Sequence, residues 1–586
     1  MNSSNSQARY GSDVMADMLR LLDIDYAVMM PGSTYRGFHD SIVNYLGNNK
    51  PEVILCAHEG FAVNMAHGYG KVAGKPIAVL LHNVVGLLNG TNAIYNAWLD
   101  DAPMLVIGAT GPMDIEKRRP GIDWIHTALV QGNLVRDYVK WDDQPSSLAS
   151  VTDSFIRAYQ IANTDPQGPV YVCLDAGLQE ELLTDKTSLP SIQRYPTPSF
   201  SQVDDATIDR VAKLLVEATN PVVIADFMGR NPAAVASLIE LAELLALPVI
   251  DAGGRFNFPN THPLDLTGAQ GELLKDADVV LALDVKHLSQ YLTPGVALHT
   301  RQQRGSIIPE KCQVVHFTLQ HLATKSWPQS YGKLVPVDIA VAADTALSLP
   351  VLTAACRDLL TDKRRAELKQ RFDSLKTRHE TLRKQWQIMA ENEQGKSPIP
   401  IPWLIRQVGE VIKDEDWALV SRDMSGWARR LWNWRKPYQY VGFMGLGCSL
   451  GHSLGAALAH QPEGRLCIDL QPDGDFLFQP AGLWTAAHHQ IPLLVIMNNN
   501  RTYYNSERHQ ETMAATRERP VKNKGIGTHI EGPVVDYASL ARSFDIHGVG
   551  PIENPDDLLP ALEEAIRIVK DKKQLVLVDV VTEPSR

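Results

Sequence analysis

Short apolar runs alternate with longer stretches of helical periodicity along most of the chain. In the first third the runs fall at 26–30, 53–56, 77–81, 104–107 and 170–174. Apolar strands of this continuous kind, separated by helices, predict a parallel sheet covered on both faces. A stretch rich in Pro, Ser and Thr at 187–201 breaks the pattern. A second set of runs follows at 221–225, 248–250, 279–283 and 313–316. The charged segment 362–393 favours a helix and reads as a surface connector, and a third set occupies 417–420, 466–470, 492–497 and 575–580. The organisation predicted is three doubly wound α/β domains, at 1–186, 204–350 and 398–586.

The length, 586 residues, exceeds what one hydrophobic core supports and agrees with several domains. Net charge is −11, so there is no basic excess to neutralise phosphates and nucleic acid is not expected as a partner. The six cysteines (Cys56, Cys173, Cys312, Cys356, Cys448 and Cys467) are scattered and form no CxxC pair. Neither a zinc site nor a disulfide framework is expected, and a reducing cytoplasm is the simplest location. Residues 1–10 lack the apolar core of a signal peptide. No apolar stretch of about 18 residues predicts a membrane span.

The sharpest chemical signal is Pro472-Asp473-Gly474-Asp475-Phe476, followed by Asn499-Asn500-Arg501-Thr502-Tyr503. Asp473 and Asn500 each close an apolar run, with a helical stretch between them. A right-handed strand–helix–strand unit brings both strand ends to one edge of a sheet, the edge where ligands of open α/β sheets bind. A carboxylate, an amide oxygen and a backbone carbonyl form an all-oxygen site suited to Mg²⁺ and the phosphate oxygens it carries. Asp-Gly and Asn-Asn are also common turn dipeptides. The spacing resembles the thiamine-diphosphate enzyme signature, Gly-Asp-Gly followed by Asn-Asn. That resemblance implies that Asp473, Asn500 and the Thr502 carbonyl hold the metal, with Gly474 and Asp475 at the cofactor diphosphate. Pro472 replaces the first Gly of the signature, and Asp475 stands where a small hydroxyl residue is common.

Far upstream, a predicted strand ends at Cys56-Ala57 and His58-Glu59-Gly60 opens a helix whose buried face is marked by Ala62, Met65, Ala66 and Tyr69. Glu59 shares that face, and an inward carboxylate needs a hydrogen-bond partner. In the thiamine-diphosphate family a Glu in this setting binds N1′ of the aminopyrimidine and promotes loss of the proton from thiazolium C2. The same resemblance implies pyrimidine-binding, central and diphosphate-binding domains in that order. It also implies a homodimer or homotetramer with sites between subunits. Leu446, in Gly445-Leu446-Gly447, is either the residue that wedges the cofactor into its bent form or ordinary core.

Ser33, after Pro31-Gly32, and His82, after the run 77–81, fall at the same predicted sheet edge as Glu59. The stretch from Leu80 to Ala93 resembles benzoylformate decarboxylases, where a Ser binds the substrate carboxylate and a His moves protons. An unperturbed His titrates near neutrality, which suits that work, although most histidines are structural. His287 is a looser second proton carrier. Trp124, in the charged and aromatic loop 118–126, is a candidate for shaping the substrate pocket. So are Tyr504, Asn505 and Glu507 after the metal motif.

The resemblance spans nearly the whole chain and points to the benzoylformate decarboxylase and acetolactate synthase branch. The expected activity is cleavage or formation of a C–C bond beside a carbonyl, on a 2-oxo acid or 2-hydroxy ketone. A 2-oxo-acid decarboxylase with carboligase capability comes first, then an acetolactate-synthase-like transferase, then a cofactor-binding scaffold without catalysis. FAD is not expected, because the segment 281–287 lacks the Gly-x-Arg that holds flavin in synthases.

Overall fold

The computed structural model describes residues 8–184, 189–293, 305–320, 335–443, 445–447 and 449–584; Cys448 and residues 1–7 lie outside them. Three parallel sheets account for the strands. The first has the order β2-β1-β3-β4-β6-β5, from β1 (Tyr26–Met29), β2 (Glu52–Leu55), β3 (Ala78–Leu81), β4 (Met104–Thr110), β5 (Asp142–Asp143) and β6 (Pro169–Asp175). The second has the order β11-β10-β9-β7-β8, from β7 (Pro221–Ala225), β8 (Val249–Asp251), β9 (Val279–Leu283), β10 (Gln313–Phe317) and β11 (Ile339–Val341). The third has the order β12-β13-β14-β16-β15, from β12 (Trp417–Leu419), β13 (Leu466–Pro472), β14 (Leu494–Asn499), β15 (His547–Ile552) and β16 (Val576–Val581). Every apolar run singled out in the sequence became a strand. The central strands are buried along nearly their whole length, as sheets covered by helices on both faces require.

Six helices matter for the site. They are α1 (Glu59–Ala73), α2 (Asn83–Leu99), α3 (Asp362–Glu391), α4 (Ser449–His460), α5 (Gly482–His488) and α6 (Tyr504–Thr516). The side chain of His58 caps α1 by accepting from the Gly60 amide at 3.0 Å, and Gly74 ends it in the left-handed conformation. The predicted connector is α3, which runs from the central unit to the third. Arg371 binds the Leu245 carbonyl at 2.5 Å, His379 binds that of Asp265, and Arg383 binds that of Asn260.

The first and third units meet directly along α1 and α4. A Cβ on Gly68 would collide with the His452 carbonyl, and one on Gly455 with the Met65 carbonyl, so the helices touch backbone to backbone. Phe61, Met65, Leu450 and Leu454 continue one apolar core across the crossing. Among the described residues no helix is long and apolar enough to cross a membrane.

Candidate functional site

Asp473 starts a short helix immediately after β13, and Asn500 immediately follows β14. The strands are neighbours, with Pro472 opposite Asn498, so both residues stand on one carboxyl edge. Asp473 is buried. Its Oδ1 accepts from the Gly474 amide and its Oδ2 from the Arg501 amide, both at 2.7 Å. Burial pushes its pKa up to about 6, against the help of these two amides. Asn500 Oδ1 accepts from the Thr502 amide at 3.0 Å. The bonds to the facing segment use the Arg501 carbonyl and the Tyr503 amide. A desolvated carboxylate and an amide oxygen thus stand on neighbouring strand ends, with the Thr502 backbone beside them, and oxygen donors of this kind fit a hard divalent cation.

Gly474 fits the same cradle, since a Cβ there would meet the Tyr503 ring at 2.5 Å. Asp475 has one carboxylate oxygen engaged within the chain. Its Oδ2 accepts from the Ser449 amide at 2.9 Å and from the Ser449 hydroxyl, tying down the start of α4. Leu446 is not core, for 76% of its surface is exposed. Its carbonyl is held by Asn92 at 3.1 Å and Asn96 at 3.2 Å, so backbone anchoring from α2 leaves the side chain projecting.

Glu59 is the first residue of α1, at the end of β2, and is buried. Its inward position supplies the partner that the sequence demanded, for Asn89 donates to Oε2 at 3.1 Å. Gly86 keeps the approach to Oε1 open. The two edges are joined within the chain. Gln479 meets His58 Nδ1 at 2.9 Å, and Thr485 on α5 donates to the Leu55 carbonyl at 3.2 Å. The first and third units are thus tied at these two points within the chain.

His82 follows β3, and its ring lies over Gly32, where any Cβ would fall inside the imidazole. Its Nδ1 sits 3.1 Å from the hydroxyl of Thr34, and Ser33 beside it is exposed. Burial lowers the His82 pKa, helped by the charge of His126 and opposed by that of Glu59. The second imidazole beside His82 is His126, at 5.2 Å between ring centroids. His287 instead follows β9 in the central unit and precedes the helix Leu288–Leu292. Trp124 is 77% exposed on the loop that carries His126.

Tyr504 and Asn505 open α6 at the surface, but Glu507 is buried and committed. It accepts from the Thr502 hydroxyl at 2.9 Å and pairs with Lys524 at 3.2 Å and His529 at 3.3 Å. Burial works against its charge, yet Thr502 and Lys524 hold its carboxyl below the usual value. These contacts brace the segment that follows β14.

Sequence reasoning missed Thr34, Asn89 and His126. Gly86, Gly90 and Ala93 mark a close-approach face on α2, and that spacing could have drawn attention to Asn89. A second cluster with metal-like ligands, His67, Asp100 and His452, is fully buried between the units. It is poorly suited to an added cation. Asp100 Oδ2 already receives Lys71 at 2.5 Å and His67 at 2.8 Å, and Oδ1 receives Arg255 at 3.0 Å. Burial opposes the Asp100 charge, but Lys71, Arg255 and His67 overcome it and hold the carboxyl well below its ordinary value.

Comparison with known proteins agrees with this geometry. Residues 9–133 match the N-terminal binding domain of thiamine pyrophosphate enzymes, 208–352 their central domain and 423–580 their C-terminal binding domain. The catalytic subunit of mitochondrial acetolactate synthase from Saccharomyces cerevisiae is 25% identical, over 95% of this chain and 79% of its own. Benzoylformate decarboxylase from Pseudomonas aeruginosa is also 25% identical, over 90% of this chain and 92% of its own. The crystal structure of benzoylformate decarboxylase from Polynucleobacter necessarius shares the fold, with a TM-score of 0.77 and 21% identity over 98% of this chain and 99% of that one. With three family domains in order along three parallel sheets, this chain belongs to the thiamine-diphosphate-dependent enzymes of the decarboxylase and acetolactate synthase group.

Proposed function

We propose that this enzyme is a Mg²⁺-dependent 2-oxo-acid decarboxylase with carboligase capability, acting on a 2-oxo acid or the related 2-hydroxy ketone. The observation that carries the reading is the half-buried His82, which shares a sheet edge with Glu59 and is oriented by Thr34. Asp473, Asn500 and the Thr502 carbonyl would hold Mg²⁺, Gly474 would admit the diphosphate, and Leu446 would press on the bent cofactor. When bound, thiamine diphosphate supplies a carbanion that adds to carbonyls and a cationic ring that stores electrons. Glu59 holds a proton at N1′. Asn89 fixes the Glu59 carboxylate, Ser33 receives the substrate carboxylate, and His82 delivers a proton to the carbon that has lost CO₂. Trp124, Tyr504 and Asn505 border the entrance.

We also propose a homodimer or homotetramer with sites at subunit boundaries, housed in the cytoplasm and divided into domains at 1–186, 204–350 and 398–586. Leu88, Trp124, Ile125, Leu129 and Val130 are exposed, and apolar surface of this kind is characteristic of an interface. Among the described residues, five cysteines are free and buried, which suits a reducing compartment.

The acetolactate-synthase-like transferase remains the second reading, favoured by the yeast relative. Product partitioning separates the two. A decarboxylase needs a proton after CO₂ departs, whereas a ligase passes the same carbanion to a second carbonyl. His82→Ala should therefore depress aldehyde release by roughly 10²-fold or more, the scale of a positioned acid–base group, and ligation to an added aldehyde by less. Unchanged rate and partitioning on a panel of 2-oxo acids would remove the support for the decarboxylase.

A further inference from the structure

His126 belongs to a loop whose charged residues are satisfied within it. Arg119 forks onto Asp123 with bonds of 2.7 and 3.1 Å, and Asp123 also accepts the Arg119 amide. Arg118 binds the carbonyls of Pro112 and Met113, both at 2.9 Å. Thr127 then pins the loop to β4 by accepting the Gly111 amide at 3.1 Å. Held in this way, the His126 ring lies 5.2 Å from that of His82, inclined by 50°. Its Nδ1 is 3.0 Å from the Ile122 carbonyl, an acceptor, so Nδ1 carries the hydrogen. In the neutral ring Nε2 is then the basic nitrogen. His126 is half-buried, with one side open to water.

His82 is half-buried, and the groups facing it come from several elements. Thr34 and Tyr35 come from the turn after β1, Asn83 from the start of α2, Glu59 from α1, and Arg119 and His126 from the loop. Of these, His126 is the one other imidazole, and it is itself half-buried.

We propose that His126 is a positioning residue for proton transfer, relaying protons from solvent to His82 and tuning its basicity. The inference rests on the reading of His82 as the proton donor. Water protonates His126 at Nε2; that proton passes to neutral His82, across one water or a small ring rotation. His82 gives it to the substrate carbanion, forming the C–H bond, and both rings return to neutral. No redox partner is needed.

His126→Gln keeps a side-chain donor for the Ile122 carbonyl but cannot relay. In the protein loaded with thiamine diphosphate and Mg²⁺, the pH dependence of diethyl pyrocarbonate labelling at His82, read by mass spectrometry, should move to higher pH when the neighbouring charge is removed. Aldehyde release from benzoylformate or pyruvate should fall by roughly 10-fold, less than loss of a direct donor, and added imidazole should restore it in His126→Ala. An unmoved His82 labelling profile would overturn the coupling, and absence of imidazole rescue would overturn the relay. Failure of the underlying reading is distinguishable: His82→Ala would then leave aldehyde release intact, whatever the labelling profile of His126→Gln.

Discussion

His489 Nε2 accepts the backbone amide of Leu55 at 2.9 Å, joining the diphosphate unit to the strand that ends four residues before Glu59. Only a neutral imidazole can accept this bond. Burial, reinforced by the charge of His488, pushes the His489 pKa down to about 4, against an unfolded value of about 6.5. The unfolded chain thus binds the proton more readily, so the stabilisation is whole above pH ~6.5 and is lost as pH falls toward 4. Denaturation measured from pH 4 to 8 should show His489→Gln with a shallower acid slope than wild type, by up to one proton. Superimposable slopes would show that this ring does not govern the junction.

Removing a metal ligand should act on cofactor retention and spare the fold. Asp473→Ala and Asn500→Ala each delete an oxygen at a strand end, outside the apolar layers. Titrating apo-protein with thiamine diphosphate and Mg²⁺ should show affinity weakened by at least about tenfold in each variant, on the scale of a lost charge-assisted contact. Wild-type affinity in both would contradict the assignment.

Glu59→Gln retains size and a hydrogen-bonding head toward Asn89 but cannot hold an acidic proton at N1′. Cofactor should still bind, while hydrogen–deuterium exchange at C2 slows by about 10²- to 10⁴-fold, as loss of an acid–base group predicts. NMR of quenched samples measures this directly. Exchange at the wild-type rate would remove Glu59 from the activation step.

Asp100 holds three cationic or polar partners from two units, Lys71, His67 and Arg255, out of water. Asp100→Asn leaves Lys71 and Arg255 facing each other without a counter-charge. Loss of one partner of such a buried group costs about 3–5 kcal/mol. Urea denaturation monitored by tryptophan fluorescence should register a loss of that order. A change within experimental error would mean that water replaces the carboxylate.

The strands that sequence reasoning overlooked are β5, β11 and β15, and each forms one border of its sheet. Asp142–Asp143 is half-exposed, Ile339–Val341 is buried at only one residue, and His547–Ile552 carries two glycines. A strand paired on one side and wet on the other has no need of a continuous apolar run. Asp473, Asn500 and Glu59 were legible because each closes or follows such a run, which fixes its edge. The ties of Asp475 to Ser449 and of Glu507 to Lys524 were not legible, because these partners lie elsewhere in the chain. No periodicity records those contacts. His126 escaped for the same reason, since it meets His82 only through the folding of a loop.

The glycine crossing of α1 and α4 gives the junction of the first and third units an unusual rigidity. Where helices pack through interlocking side chains, a change of rotamer can adjust their separation by fractions of an ångström. Here the peptide planes themselves are in contact at Gly68 and Gly455, and no rotamer intervenes. Efforts to widen the pocket for bulkier substrates by repacking nearby residues would leave this fulcrum untouched. One methyl group at either glycine would instead pry apart the base of the cleft while its entrance stayed chemically intact.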